Sequence, residues 1–300
     1  MDSTLGFVIS PTAGNGRGTF VGRTVRDRLL EAGHRVIPLG APTHEETSAL
    51  LESALDAGEL DGIVTMGGDG TIHLAIQHLV GRDVFLGHVP FGTGSDIARD
   101  LGLTTSWDTG LNILIEALNE RQPGTIDALE ITGSHGVSYG MAVVSAGVDA
   151  IVNQAANTYS WPHGHSRYLR AVLAKLPGYR PRTYRIEHDG KQATGEAILI
   201  AVANTKSFGG GLTISPDSDP FDGKLELLMA KKLSLLEVAD VLPRLYEGTH
   251  VEKDFVHVHD VTEVRIDTIG EGVVAMVDGE EIGPLPVTVR VRPRALRILR

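Results

Sequence analysis

One short stretch of the chain, residues 65–71 with the sequence TMGGDGT, combines glycine, hydroxyl and carboxylate groups. Apolar residues before it indicate the end of a buried strand, and the pattern after it indicates the first turns of a helix. Glycine lets a ligand approach the main chain closely, and a helix N-terminus offers N–H groups that suit phosphate. The carboxylate of Asp69 repels phosphate, so its role beside a phosphate group would be to bind a cation or to accept a proton. Together these groups indicate phosphoryl transfer with Mg²⁺.

Two further glycine-rich loops occur at junctions of the same kind, residues 10–18 (SPTAGNGRG) and residues 90–96 (PFGTGSD). Neither has the spacing of a Walker A loop or of GxGxxG. Taken alone, the loop at residues 10–18 is equally typical of a plain turn. In the loop at residues 90–96, Ser95 or Asp96 could instead cap the helix that follows. The carboxyl ends of parallel strands share one edge of a sheet. We therefore expect the three loops to face one crevice.

The first 125 residues alternate strand patterns with helical patterns, which is typical of parallel βαβ units with right-handed crossovers. We predict four strands, at residues 6–9, 34–39, 62–66 and 84–89. We predict helices at residues 19–32, 45–57, 72–80 and 109–118.

From about residue 125 onward, strand patterns dominate and turn signals such as Asp-Gly separate most of them. We predict strands at residues 126–132, 137–146, 183–188, 193–204, 224–230, 261–268, 272–277 and 287–291. Helical patterns interrupt them at residues 166–176 and 234–245. The second half therefore indicates a separate, mainly antiparallel domain.

Composition excludes several classes of protein. The chain has 300 residues, a formal net charge of −11 and no cysteine. This charge argues against nucleic-acid binding, and the lack of cysteine excludes disulfides and thiolate chemistry. No apolar run approaches the roughly 20 residues of a membrane-spanning helix, and the N-terminus lacks the basic region of a signal peptide. We expect a cytoplasmic protein with no transmembrane segment and no nucleic-acid partner.

The motifs resemble those of the diacylglycerol kinase catalytic-domain family. Residues 67–71 (GGDGT) match its signature in full, and residues 90–96 resemble its PxGTxND segment, with Ser95 in place of asparagine. Ser10 likewise stands where the family has asparagine. The family's later motifs follow in order as Asn204, glycines 209–211, Pro216, residues 222–225 (DGKL) and residues 278–280 (DGE). The resemblance covers nearly the whole chain, and the superfamily holds bacterial lipid kinases, sphingosine and ceramide kinases and, more distantly, NAD kinases.

The resemblance implies a fold of two domains with the active site in the cleft between them. The first is an α/β, Rossmann-like ATP-binding domain at residues 1–125, to which a tail at about residues 292–300 returns. The second is a mainly antiparallel β-sandwich at residues 126–291, which binds the lipid substrate.

The resemblance also implies ATP and Mg²⁺ as cofactors. Backbone N–H groups of the three loops suit the ATP phosphates. The candidate ATP-binding residues are Ser10, Thr12, Gly14, Gly16, Gly67, Gly68, Gly70, Thr71, Gly92, Thr93, Ser95 and Asp96. Mg²⁺ prefers hard oxygen ligands and keeps several waters, so one or two carboxylates suffice. The candidate metal ligands are Asp69, Asp96 and, at a structural site, Asp222.

An acceptor hydroxyl must lose its proton during phosphoryl transfer, and a carboxylate can take it. The resemblance favours Asp278 as this base, with Glu280 beside it as a metal ligand or orienting group. Asp69 is the third catalytic candidate, and the choice of base between Asp69 and Asp278 stays open. If residues 278–280 are extended, Asp278 and Glu280 lie on one strand face. An ordinary turn is the alternative for these three residues.

The hypothesis is therefore a kinase that transfers the γ-phosphoryl group of ATP to the hydroxyl of diacylglycerol or a related lipid alcohol. Residues 161–185 contain five arginines and one lysine but no acidic residue, and include an amphipathic helix pattern. Such a segment can dock at the inner face of an anionic membrane, where the lipid acceptor lies. A packed helix with a solvated basic rim is the alternative. The sequence leaves a homodimer open.

Two other functions also stay open. A kinase for a soluble acceptor such as NAD shares the GGDGT signature. A non-catalytic regulatory protein that binds nucleotide or lipid is the second, because Ser10 and Ser95 depart from the family pattern. An NAD dehydrogenase is disfavoured because no GxGxxG follows the first strand.

Overall fold

The computed structural model describes residues 2–10, 13–92, 95–120, 123–159, 165–270 and 272–300. Six side chains in these ranges also lie outside the description: Asn15, Asn157, His165, Ser166, Arg167 and Leu235. The chain divides into two compact units. The first comprises Met1–Ile126 with Arg294–Arg300, and the second comprises Asp127–Pro293.

Within its described residues, the first unit is built on parallel strands in the order β2-β1-β3-β4. These are β1 (Thr4–Ile9), β2 (Arg35–Pro38), β3 (Gly62–Gly67) and β4 (Phe85–Pro90). The helices are α1 (Ala13–Gly16), α2 (Gly18–Glu31), α3 (His44–Asp56), α4 (Asp69–Leu79), α5 (Asp96–Asp100) and α6 (Trp107–Glu120). The end of the last strand, β18 (Val287–Ile298), pairs in parallel with β4.

Local sequence explains how these elements form. Strand β3 is buried at every position, which accounts for its continuous apolar run. Helix α3 begins with a capping box, in which the Thr43 hydroxyl accepts from the Glu46 N–H and the Glu46 carboxylate accepts from the Thr43 N–H. Side chains such as Leu5, Val64 and Leu111 are fully buried in the core. This packing holds the carboxyl ends of β1, β3 and β4 at one edge of the sheet.

The second unit is a sandwich of two mainly antiparallel sheets. One sheet contains β5 (Gly124–Gly133), β6 (Gly136–Gly140), β8 (Arg182–His188), β9 (Lys191–Ala197), β15 (Glu263–Ile269) and the start of β18. The other contains β7 (Val143–Gly147), β10 (Leu199–Ala203), β13 (Leu225–Ala230), β14 (Val256–Val261), β16 (Val274–Val277) and β17 (Glu280–Pro284). A short pair, β11 (Ser207–Phe208) and β12 (Leu212–Thr213), and the helices α7 (Val148–Thr158), α8 (His165–Lys175) and α9 (Leu235–Glu247) complete the unit.

Both sheets contribute side chains to one apolar core, including Ile131 and Val264 from the first and Val144 and Leu227 from the second. The predicted fold class, an α/β domain followed by an antiparallel β-sandwich, is therefore confirmed. None of the helices in the described part of the chain has the length and hydrophobicity needed to cross a bilayer.

Two predicted strands are each two strands in the structure. Residues 137–146 form the end of β6 and then β7, which belong to opposite sheets of the sandwich. Residues 193–204 likewise change sheets at Ile198, whose N–H donates to the Ala230 carbonyl. The apolar pattern continues through both crossings because each sheet turns an apolar face toward the same core. Strands β14 and β17 and helix α7 were not predicted from the sequence.

Candidate active site

The three glycine-rich loops lie side by side within the first unit. We name them loop 1 (residues 10–17), loop 2 (residues 67–71) and loop 3 (residues 90–96), and they follow β1, β3 and β4. The Ser10 N–H donates to the Met66 carbonyl at 3.0 Å, and the Phe91 N–H donates to the Gly67 carbonyl at 2.7 Å. The structure therefore brings together the loops that the sequence predicted at one edge. Thr12 and Thr93 lie outside the described residues.

Contacts between the loops require glycine at two positions. A Cβ atom on Gly67 would lie 2.2 Å from Thr71 Oγ1 and 3.3 Å from Ser10 Cβ. Gly14 has a φ of +59°, and a Cβ atom there would lie 2.4 Å from the Phe91 ring. A larger residue at Gly14 would push loop 1 away from loop 3, and a larger residue at Gly67 would collide with Thr71 within loop 2 and crowd Ser10 of loop 1. Phe91, which the sequence did not single out, is therefore part of the wall that loop 1 packs against.

Asp69 connects loop 2 to loop 3. It occupies the first turn of α4, and its Oδ2 accepts from the Asp96 N–H at 3.1 Å. Its Oδ1 accepts from the Ile97 N–H at 3.2 Å. The carboxylate thus satisfies free N–H groups at the start of α5, the capping role that the sequence gave to Ser95 or Asp96.

Asp96 is almost fully buried, at 4% exposure, beside Arg99. The guanidinium of Arg99 donates to Asp96 Oδ1 at 2.7 Å. This ion pair neutralises the charge of one of the two acidic groups in the loop cluster. The Arg99 side chain stays 43% exposed, so its remaining N–H groups can reach an anionic ligand.

Asp69 fits Mg²⁺ better than Asp96 does. Each oxygen of Asp69 accepts from an uncharged backbone N–H, and carboxylate oxygens are hard ligands of the kind that Mg²⁺ binds. Asp96 Oδ1 already binds a cation, Arg99. Among the described residues, no group of three or more histidine and acidic side chains could hold a metal ion. Mg²⁺ would therefore depend on Asp69 together with substrate oxygens and water.

In the second unit, Asp278 lies in a tight turn between β16 and β17. Its φ is 51° and that of Gly279 is 89°, so residues 278–280 are not extended. The condition under which Asp278 and Glu280 would share a strand face is therefore not met, and the turn that was the alternative is observed, because strand alternation does not apply in a turn. Glu280 is exposed at the start of β17.

Three consecutive backbone N–H groups hold the Asp278 carboxylate. Its Oδ2 accepts from Met141 at 2.9 Å, and its Oδ1 accepts from Ala142 at 2.8 Å and from Val143 at 3.3 Å. These donors belong to the segment where the chain passes from β6 to β7. Gly140 permits this passage, since a Cβ atom there would lie 2.3 Å from Val277. Gly140, a glycine inside an apolar run, is the sequence feature that could have indicated this passage from one sheet to the other.

Other motif residues of the second unit buttress the same segment. The Asn204 amide donates to the Met141 carbonyl at 2.7 Å and to the Asp127 carbonyl at 3.3 Å. Asp127 is 1% exposed and accepts from the Gly223 N–H at 2.7 Å. Asp222, the candidate structural metal ligand, accepts from the Lys224 N–H at 2.9 Å and so shapes its own turn. Of these side chains, Asn204 contacts the backbone that holds Asp278 directly, through the Met141 carbonyl.

The second unit also contains an apolar cavity under α7, α8 and α9. Its volume is about 100 Å³, and it is partly open to solvent. Two exposed leucines lie on these helices, Leu173 at 52% and Leu236 at 85%. Apolar lining residues include Val152, Val172, Leu176, Leu228, Val241 and Leu245. Sequence reasoning did not find this cavity, because its residues come from elements far apart in the chain.

Comparison with known proteins gives the same family across the whole chain. Residues 4–131 match the model of the diacylglycerol kinase catalytic domain, and residues 142–300 match that of the YegS C-terminal NAD kinase beta sandwich-like domain. A diacylglycerol kinase of Mycobacterium tuberculosis is 34% identical over 97% of this chain and 93% of its own length. The chain belongs to the bacterial diacylglycerol kinase family of lipid kinases.

Two further relatives agree with this assignment. The diacylglycerol kinase of Bacillus subtilis is 30% identical, over 81% of this chain and 78% of its own length. A diacylglycerol kinase structure from Bacillus anthracis has a TM-score of 0.72 at 17% identity and covers 99% of this chain and 96% of that one. At that identity the structural likeness shows the fold of the diacylglycerol kinase family alone.

Proposed function

We propose that the protein is an ATP- and Mg²⁺-dependent lipid kinase that phosphorylates the hydroxyl of diacylglycerol or a related lipid alcohol. The observation that carries the proposal is the cluster of loops 1, 2 and 3 around Asp69. Backbone N–H groups at strand ends and the N-terminus of α4 favour bound phosphate, while Asp69 supplies a hard oxygen for the cation. Phosphoryl transfer needs this combination because it depends on positioning and charge neutralisation.

The acceptor is proposed to be a lipid because the apolar cavity of the second unit matches an alkyl chain in chemistry. Burial of alkyl groups is favourable by about 0.8 kcal/mol per CH₂. A small polar acceptor would gain nothing from such a lining. The two relatives from Mycobacterium tuberculosis and Bacillus subtilis are named diacylglycerol kinase, which supports the same acceptor.

We assign proton removal to Asp278. In the transfer, the hydroxyl oxygen of the lipid forms a bond to the γ-phosphorus, the bond from that phosphorus to ADP breaks, and the proton passes to a carboxylate. The three N–H groups on Asp278 fix its orientation for this role. Mg²⁺, held by Asp69, would neutralise charge on the phosphates.

The lipid acceptor requires docking at a membrane surface, for which the basic segment at residues 161–185 is proposed. Its side chains Arg170, Lys175 and Arg180 are exposed in the described part of the chain, as is Leu173. Cationic residues near an anionic surface contribute about 1 kcal/mol each. Docking would also agree with peripheral location at the inner membrane face.

The test is transfer of label from [γ-³²P]ATP to a total lipid extract, with identification of the labelled product. The proposal expects one labelled lipid that needs Mg²⁺ and the protein. Label on NAD with no labelled lipid would contradict it. Nucleotide binding without transfer to any lipid or alcohol would also contradict it and would favour a regulatory protein.

A further inference from the structure

The connection from β13 to α9 places exposed lysines and an exposed leucine next to the wall of the apolar cavity. Leu233, in this connection, lines the cavity. Around it, Lys231, Lys232 and Leu236 are exposed, and Leu236 is the most exposed of the large apolar side chains described, at 85%. We call residues 231–236 the α9 entry segment. An exposed apolar side chain beside cations is typical of a surface that contacts a membrane.

A capping box fixes the position of Leu236 in the first turn of α9. The Ser234 hydroxyl accepts from the Glu237 N–H at 3.3 Å, and the Glu237 carboxylate accepts from the Ser234 N–H at 2.7 Å. The buried face of the helix contains Val238 and Val241, at 4% and 7% exposure. These positions lie on the opposite side of the helix from Leu236, so packing of α9 against its own unit leaves this leucine without apolar cover.

The charges around this leucine differ in how they are paired. The carboxylate of Asp240, one turn further along α9, accepts from Arg244 at 3.1 Å and from Lys253 at 2.6 Å. Within the part of the chain that the structure describes, Lys231 and Lys232 take part in no ion pair. Two unpaired cations close to an exposed leucine complement an anionic lipid surface, whose head groups attract lysine and whose acyl chains favour leucine.

Helix α8, which also lines the cavity, carries the same combination of exposed groups. Val172 and Leu176 line the cavity, whereas Leu173 is 52% exposed and Lys175 is exposed. The Tyr168 hydroxyl donates to a carboxylate of α7, and this contact joins the two helices. The elements that line the cavity near α8 and α9 thus each present a leucine and at least one lysine to solvent.

We propose that the α9 entry segment docks on an anionic membrane surface, with Leu236 inserted among the acyl chains and with Lys231 and Lys232 against the phosphate head groups. This contact is separate from the basic segment at residues 161–185 and comes from a different element. It deepens the proposed function, on which it rests for the presence of a lipid acceptor. Docking here would hold Leu233 and the cavity wall at the bilayer, so that an alkyl chain enters the cavity without crossing water.

The experiment measures co-sedimentation of the full chain, without nucleotide, with vesicles of phosphatidylcholine and phosphatidylglycerol in equal parts and with vesicles of phosphatidylcholine alone. Leu236→Ser should weaken binding to the mixed vesicles about tenfold, because the burial of one leucine side chain is lost. The double variant Lys231→Gln/Lys232→Gln should weaken it about tenfold or more, and should reduce its dependence on salt. Binding to phosphatidylcholine alone should not change in the double variant.

Matched controls make the same replacements at exposed positions of other elements. Leu50→Ser changes a leucine of α3 that is 44% exposed, and Lys191→Gln changes an exposed lysine of β9. Both controls should bind the mixed vesicles as the unmodified chain does. All of these variants alter exposed side chains, so each should also unfold near the temperature of the unmodified chain, which thermal unfolding checks.

Equal binding of the mixed vesicles by the unmodified chain, Leu236→Ser and the double lysine variant would overturn the inference. So would light scattering that shows a dimer for the unmodified chain and a monomer for Leu236→Ser, since the leucine would then contact a second copy. Because binding is measured without ATP and without diacylglycerol, docking through Leu236 with no phosphorylation of any lipid would contradict the proposed function and leave this inference standing.

Discussion

At the residue scale, the two aspartates assigned to chemistry are also structural. Each accepts hydrogen bonds from two or three backbone N–H groups, so replacing either by asparagine turns an amide NH₂ toward an N–H donor. A buried donor that loses its acceptor costs about 1–3 kcal/mol. A test of catalysis at these positions must therefore separate the loss of activity from the loss of stability.

We expect Asp69→Asn to lower phosphoryl transfer by about 100-fold or more, because the main protein oxygen for the cation is lost. Thermal unfolding should also occur at a lower temperature. Asp61→Asn is the matched control, since Asp61 Oδ2 accepts from the Thr4 N–H at 2.8 Å in the same unit. The control should lose stability but keep its specific activity. Full activity of Asp69→Asn would remove Asp69 from the mechanism.

For Asp278 the comparison is with its exposed neighbour Glu280. Asp278→Asn should abolish transfer and lower the free energy of unfolding by about 1–3 kcal/mol. Glu280→Gln should leave stability unchanged, because Glu280 is exposed. Urea unfolding and initial rates measure both effects. An Asp278→Asn chain that is destabilised yet retains its specific activity would limit Asp278 to a structural role.

A buried histidine gives the first unit a pH dependence. His88 is 5% exposed, its Nδ1 lies 2.9 Å from Thr65 Oγ1, and burial lowers its pKa to about 4. The unfolded chain, with a histidine pKa near 6.5, then binds more protons than the folded chain between these values. Stability should fall as the pH drops from about 6.5 to 4, by roughly 3 kcal/mol from this group.

Urea unfolding at pH 4–7 tests this prediction, with His88→Gln as the comparison. The pKa values of His78 and His250 are also lowered, chiefly by burial, so part of the acid sensitivity should persist in the variant. An unchanged dependence on pH in His88→Gln would show that His88 is not responsible.

At the element scale, the passage from β6 to β7 decides where Asp278 is held. Gly140→Ala should destabilise the second unit by about 1–3 kcal/mol, because its methyl group would overlap Val277. In the double variant Gly140→Ala/Val277→Ala, the clash is removed. The double variant should then be more stable than the sum of the two single effects, which urea unfolding measures. Strict additivity would contradict the proposed contact.

The elements also show what sequence could and could not predict. Strands β1, β3 and β4 and the loops after them were predicted, because apolar runs next to glycine clusters are local signals. The sheet crossings at Gly140 and Ile198 were not predicted from the sequence. The two sheets of a sandwich face the same core, so the apolar pattern of a strand is the same in either sheet. The roles of Met141 and Tyr168 depend on partners more than 15 positions away. Such contacts have no local pattern.

At the scale of the whole molecule, the last strand contributes to both units. Leu296, Ile298 and Leu299 are each at most 3% exposed, and this part of the chain pairs with β4. Removal of residues 294–300 should lower the free energy of unfolding of the first unit by about 5 kcal/mol or more, since burial of each such side chain contributes about 1.5–3 kcal/mol.

Differential scanning calorimetry of the truncated chain measures this effect, and removal of Arg300 alone is the control. The control should unfold close to the temperature of the full chain. A truncation at residue 293 that leaves the calorimetric profile unchanged would contradict the assignment of residues 294–300 to the first unit.

The central claim, transfer of phosphate from ATP to a lipid alcohol, is tested most directly with 1,2-dioctanoylglycerol and [γ-³²P]ATP in the presence of Mg²⁺. The account predicts a labelled lipid phosphate with the unmodified chain and with Asp61→Asn, and about 100-fold less or lower with Asp69→Asn. Label on NAD in place of the lipid, or equal lipid labelling by the Asp69→Asn chain, would contradict it.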